Sequence, residues 1–146
     1  MNAIGPSRDP LARKIAATAA IFGGLGVLIG AFGAHGLEVR LADAGLDPAL
    51  IVKRLGQFDV GARYHLVHAV TMLVVSNLPS ISHRARRIVF VLLTLGIVLF
   101  SGSLYLLVLT NTPWLGAITP LGGVAWILAW FTIAGSALAN RQASNE

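Results

Sequence analysis

Four apolar stretches, Ile15–Ala34, Gly61–Leu78, Ile88–Leu109 and Trp114–Leu138, restrict what this chain can fold into. A bilayer crossing takes roughly 20 apolar residues at 1.5 Å rise each, and all four approach or reach that length. The second is the least clean, because His65 and His68 lie inside it, and His35 lies just beyond the first. Of the 146 residues 55% are hydrophobic and 12% charged, and the mean hydropathy is +0.76. Soluble domains carry about a quarter charged residues, so this chain has too little charge to cover a water-facing surface. The reading is an integral membrane protein, all α, with one membrane domain over residues 1–146 and no room for a separate soluble domain.

The net charge of +5 does not point to nucleic acid. Arg8, Arg13 and Lys14 precede the first span, and Arg84, Arg86 and Arg87 fill the short link between the second and third. These are positions for positive-inside anchors, and they lack the interleaved aromatics of single-strand binders. With Arg141, seven basic residues fall on this side; Arg40, Lys53, Arg54 and Arg63 make four on the other. Both termini are therefore expected in the cytoplasm of a bacterial inner-membrane, multi-pass protein. The apolar core of the first span, about 20 residues, exceeds the 7–15 of a signal-peptide core, so it is read as a span. The chain has no cysteine, which excludes disulfides, thiolate metal sites and lipidation on sulfur.

Ala16, Ala19, Gly23, Gly26, Gly30 and Gly33 follow at alternating spacings of three and four. On a helix this is a seam of small residues along one face. In lipid no hydrophobic drive brings helices together, so close backbone approach has to, and small residues permit it. A phosphate-binding loop would need a preceding strand and a following cation, and neither is present. The seam, with Gly23, Gly26, Gly30 and Gly33 as packing residues, makes the first helix the expected close-packed spine of a bundle. His35 and Gly36 then end that helix, imidazole toward the negative end of the dipole and glycine just past it.

In the loop that follows, Asp47-Pro48 reads as an N-cap with proline at the first helical position. Ile51, Leu55, Phe58 and Ala62 fall within about 60° of one another at 100° per residue, with Lys53, Gln57 and Asp59 outside that stripe. The expectation is an amphipathic helix able to lie in the interface, running without a proline straight into the second span, with Gly56 and Gly61 as the places where it can bend.

The ordered motifs GAFGAHGL (Gly30–Leu37), FDVGARYHLVHA (Phe58–Ala69), LFSGSLYLLVLT (Leu99–Thr110) and WLGAITPLGG (Trp114–Gly123) resemble a small inner-membrane family. It is typified by YgdD and includes the transmembrane protein 256 homologues. The likeness runs from about Ile15 to Leu138 and implies a bundle of four transmembrane helices without implying an activity. Such proteins usually carry glutamine in the position of His65, which weakens a role for His65 but not for Tyr64 or His68.

With the N-terminus inside, His35, Tyr64, His68, Ser101, Ser103, Tyr105 and Thr119 share roughly one depth in the outer half. Polar groups at depth usually face the bundle interior and pair with one another, so these seven are the candidate ligand-binding residues. His35 and His68 are expected close together, with Tyr64, Ser103 or Tyr105 in hydrogen-bonding reach of one of them. Pro120 frees the carbonyl of Gly116, which then needs a substitute donor. The competing reading is plainer: serine and threonine bonding their own helices, with Tyr64 and Trp114 in an aromatic belt. His65, His68 and Met72 share one azimuth and with His35 suit copper(I) or haem by residue type, although no haem motif is visible. A hydrolase lacks an orienting carboxylate near its serines and histidines. An ion relay lacks an intramembrane acid or lysine.

The sequence therefore points to a non-enzymatic scaffold or accessory subunit, meeting the lipid bilayer and a larger complex or homo-oligomer, with no cofactor expected. The alternative is a bundle handling a small ligand, copper or haem around His35 and His68. Reporters fused after Glu146 and within Ser82–Arg87 are expected to report cytoplasm, and one near Leu46 the opposite side. A cytoplasmic Leu46 would refute that orientation.

Overall fold

The computed structural model describes residues 9–143, all helix, turn or loop, with no strand among them. Arg8 and Glu146, used in the charge and reporter arguments, lie outside the described residues. The elements are α1 (Pro10–His35), α2 (Leu37–Asp43), α3 (Pro48–Ser76), α4 (His83–Gly96), a π-helical turn (Ile97–Gly102), α5 (Ser103–Thr110), a 3-10 turn (Pro113–Ala117) and α6 (Thr119–Ala143).

Three helices are long and apolar enough to cross a membrane: Pro10–His35, the continuous His83–Thr110, and Pro113–Ala139. At 26 to 28 residues each spans about 40 Å, more than the ~30 Å hydrocarbon core. Among the described residues these are three of the four expected spans; the fourth stretch falls in the 29-residue α3, which carries Arg63, His65 and His68 through it.

Local chemistry sets the ends. Asp9 caps α1 by accepting from Leu11 N at 2.9 Å, and Asp47 caps α3 by accepting from Ala49 N at 2.7 Å. Proline follows each cap at the first helical position, where its missing N–H costs nothing. Ser82 caps α4 in the same manner. Gly36 separates α1 from α2 at φ −122°, so its use is not left-handed backbone. A side chain there would meet the Phe32 ring at 3.2 Å.

The first-loop helix runs straight on into the next stretch, as expected: α3 is continuous from Pro48 through Gly56 and Gly61 to Ser76. Its stripe packs inward, with Ile51, Phe58 and Ala62 buried. The expectation for Pro120 is corrected, because α6 starts at Thr119: the proline sits in its first turn, and Gly116 lies in the preceding 3-10 turn.

Buried positions along His83–Thr110 include a row spaced by four: Ala85, Val89, Leu93, Ile97 and Ser101. In an α-helix each such step drifts by about 40°. The π turn, with its wider i→i+5 spacing, takes up the drift and keeps that row facing α3 and α6. The result is two apolar cores. One holds Ile15, Ala19, Met72, Val75, Leu93, Ile97 and Trp126; the other holds Leu37, Leu41, Ile51, Phe58, Leu107 and Val108. Along α3 and the third span, the buried polar residues His65, His68, Ser101 and Ser103 lie between the two.

The first helix is not the spine of the bundle. Its one extensive neighbour is α3, and 17% of its most apolar stretch is buried, against 44% for His83–Thr110. Half of the predicted seam makes contact: an added Cβ at Gly26 would lie 2.7 Å from Leu66, and one at Gly33 2.8 Å from Phe58. Gly23 and Gly30 have open space at that position, which corrects the expectation that all four pack. At 100° per residue the four glycines spread over about 80°, with Gly26 and Gly33 at one edge, and one antiparallel partner covers only that edge.

The tightest approaches lie elsewhere. A Cβ on Gly96 would collide with the Trp126 indole, and one on Gly122 with the Phe100 backbone. Alanine in a helix normally gains about 0.5–1 kcal/mol over glycine, whereas overpacking costs roughly 1–3 kcal/mol. Gly96→Ala and Gly122→Ala are thus expected to lower the melting temperature in detergent. Gly23→Ala and Gly30→Ala should leave it unchanged or raise it, and equal shifts at all four positions would contradict this packing.

Candidate functional site

The polar layer between the cores divides into three small groups. In the first, His65 Nδ1 lies 3.2 Å from the Tyr105 hydroxyl. Phe22 of α1 meets the same imidazole edge-on at 5.8 Å. Its Nε2 is buried without a hydrogen bond of ordinary geometry among the described residues. In the second group, Ser101 donates to the Gly61 carbonyl at 2.8 Å. Ser103 donates to the Phe100 carbonyl at 3.0 Å and lies 2.9 Å from the Thr119 hydroxyl. Since Ser103 has one proton, Thr119 is the donor between them.

The third group is aromatic. His68 stacks on Trp126 with ring centroids 3.7 Å apart and planes 2° from parallel. Its Nδ1 donates to the Tyr64 carbonyl at 2.8 Å, which puts the free lone pair of the neutral ring on Nε2. Tyr64 and Phe100 close around the same indole at 5.7 and 4.8 Å, and the indole N–H donates to the Leu93 carbonyl at 3.3 Å.

Of the seven predicted residues, the structure pairs Ser103 with Thr119 and stacks Tyr64 with His68. Tyr105 turns to His65, the histidine that the resemblance had weakened. His35 joins none of these groups and is exposed. Because Gly26 faces Leu66 and Gly33 faces Phe58, α1 and α3 are antiparallel, and His35 falls at or above the level of Phe58. His68 lies ten residues farther along α3, about 15 Å at the helical rise. The expected His35–His68 cluster is therefore not formed: a helix end cannot reach a residue three turns inside its neighbour. No three His, Asp or Glu side chains converge as a metal-holding group among the described residues.

Two arginines were missed. Arg54 is 4% exposed, and its Nε and Nη2 donate to Asn111 Oδ1 at 3.2 and 2.6 Å while Nη1 donates to Gln57 at 2.9 Å. Asn111 ends α5 in the left-handed region, φ 49°. The guanidinium thus lies by the C-terminal end of the third span, where exposed carbonyls are negative; the ion pairs among the described residues involve other cations. The signal was available, since Arg54 borders the Ile51–Phe58 stripe at 100° per residue. At the opposite end, Arg86 binds Asp9 at 2.9 Å and the Leu78 carbonyl at 3.0 Å. It straps the start of α1 to α4. Burial raises the Asp9 carboxyl, but N–H bonds from Leu11 and Ala12 and the nearby His83 and Arg86 outweigh it and hold it below the usual range.

Residues 29–123 match a family described as "Protein of unknown function (DUF423)". The chain is 44% identical over 111 residues to the UPF0382 membrane protein YwdK of Bacillus subtilis, covering 75% of this chain and 83% of that one. It is 35% identical over 116 residues to the UPF0382 inner membrane protein YgdD of Escherichia coli, covering 77% and 79%. A UPF0382 membrane protein of Haemophilus influenzae is 32% identical over 108 residues, 74% and 80% of the two chains. No solved structure matches.

A carboxyl held low in the folded state contributes stability above its unfolded value near 4, and loses it as pH falls through the folded value. Melting temperature is expected to drop between about pH 5 and pH 3, less so in Asp9→Asn than in the wild type. Identical acid profiles would show that the Asp9–Arg86 strap does not hold α1. Arg54→Ala is expected to cost about 2–4 kcal/mol, by stranding Asn111 and Gln57.

Proposed function

The chain belongs to the DUF423 family of membrane proteins, and from that premise we propose that it is a non-enzymatic scaffold or accessory subunit of a membrane assembly. It joins a second copy or a larger complex through the open face of α1. The observation that carries this reading is the exposure of that helix. Gly23 and Gly30 lie within about 20° of each other at 100° per residue and have nothing within 4 Å of an added Cβ, so their flank is free for another helix. Small residues at such positions permit the close approach that membrane helices require.

On this reading α3 is the fourth crossing, its histidines turned inward and Arg63 paired with Asp59 toward one end. Both termini lie in the cytoplasm, and the protein resides in the plasma (inner) membrane, as the printed name of its relative YgdD indicates for that protein. The interior polar groups support a structural role. Thr94 bonds its own helix at the Phe90 carbonyl, 2.8 Å, and Ser101 and Ser103 are spent on carbonyls likewise. No cofactor enters this account.

A photoreactive residue placed at Gly23 or Gly30 is expected to give a crosslinked product in native membranes, and one at the exposed Phe131 of α6 is not. Gly23→Leu should abolish assembly while keeping the melting temperature. Uniform monomers in lipid nanodiscs, with no crosslinking above the Phe131 background, would overturn the reading.

A further inference from the structure

On the flank of α1 away from those glycines, three cavities follow one another between α1–α2 and α5, each sharing lining residues with the next, and outline one groove. At the end carrying α2 is a cavity of about 670 Å³ whose lining includes Arg40, Asp43, Thr110 and Asn111. It shares Leu109 with a second cavity of about 270 Å³ lined by Leu28, Ile29, Phe32, Phe58 and Tyr105. Ile29 and Tyr105 in turn border a third, of about 480 Å³, which runs back to Phe22 and is apolar almost throughout. The groove exists because α3 separates α1 from α5 and forms its floor.

We propose that this groove is a binding site for one phospholipid with a zwitterionic, primary-ammonium headgroup, phosphatidylethanolamine. The dimensions fit one lipid of one leaflet. From Gly36 back to Phe22 the groove follows α1 for about 21 Å at helical rise, a headgroup depth plus the ~15 Å of half a hydrocarbon core.

The polar end matches the headgroup in charge. Arg40 and Asp43 lie on the short helix α2, and among the described residues neither is in an ion pair or side-chain hydrogen bond. One supplies a cation for the phosphate, the other an anion for the ammonium. Asn111 adds a directed donor. Two guanidinium nitrogens of Arg54 hold its Oδ1, so its amide N–H₂ group is turned away from Arg54, and Asn111 also lines the cavity. The acyl chain then meets Phe32, Ile29, Leu25 and Leu106, of which Leu25, Phe32 and Leu106 are at least 40% exposed without it. The site lies on a different flank of α1 from the assembly face and does not depend on it.

Native mass spectrometry tests this on full-length protein taken from vesicles of equal phosphatidylethanolamine, phosphatidylglycerol and phosphatidylcholine. The wild type is expected to retain one phosphatidylethanolamine adduct in preference to the other two. Arg40→Gln and Asp43→Asn should each lower its occupancy about tenfold, the loss of one charge-assisted hydrogen bond. Leu106→Trp, at an exposed position, should fill the groove and displace the chain. Gly23→Leu should leave the adduct unchanged, which separates this result from the assembly test. Equal retention of the three headgroups, or an adduct that survives Arg40→Gln and Leu106→Trp in variants of wild-type melting temperature, overturns the inference.

Discussion

Trp126 occupies the space that any side chain on Gly96 would take, and the arrangement of α4, the π turn and α6 depends on that contact. With the indole seated there, its N–H reaches the Leu93 carbonyl and its face is left for His68. The same approach brings Phe100 onto Gly122 and calls for the π turn that keeps Leu93, Ile97 and Ser101 on one side. A bilayer offers buried polar atoms no water, so every donor brought inside needs a protein partner. Trp126 and His68 satisfy this by stacking on each other while each bonds a backbone carbonyl.

Helix α3 links the two halves of the molecule. One side of it receives Trp126 and the π turn through His68 and Gly61; the other receives α1 through Leu66 and Phe58. Its polarity follows from that position, because it carries the side chains that hold both neighbours. The first helix, held by α3 and strapped at Asp9, keeps two flanks open. One is small and flat, suited to another helix; the other is bulky and forms the wall of the lipid-sized groove.

Much of the fold was legible in the residues. Apolar length announced the three long spans, Asp47-Pro48 announced the start of α3, and the four ordered motifs announced the family. The inward face of α3 followed from periodicity at Ile51, Phe58 and Ala62. What was not legible came from tertiary phase. Periodicity identifies a glycine face but not how wide a strip of it one neighbour covers, so Gly23 and Gly30 were assigned a contact that belongs to Gly26 and Gly33. Depth alone grouped His35 with His68, yet antiparallel register sets their levels, and register depends on which glycine meets which side chain. The tight contacts at Gly96 and Gly122 had no local signature, since each depends on an aromatic residue in another helix. Arg54 was hidden by its type: a charge at the edge of an apolar stripe is ordinarily solvated, and here it is drawn in by Asn111 and the end of α5.

The central claim is that α1 lies antiparallel along α3 with Gly26 against Leu66. The absence of native cysteine makes cysteine pairs a direct measure of that register. In membranes under mild oxidation, a Gly26→Cys/Leu66→Cys pair is predicted to form an intramolecular disulfide rapidly, while a His35→Cys/His68→Cys pair stays reduced. Crosslinking of the histidine-position pair at the rate of the glycine-position pair, or faster, would contradict the account.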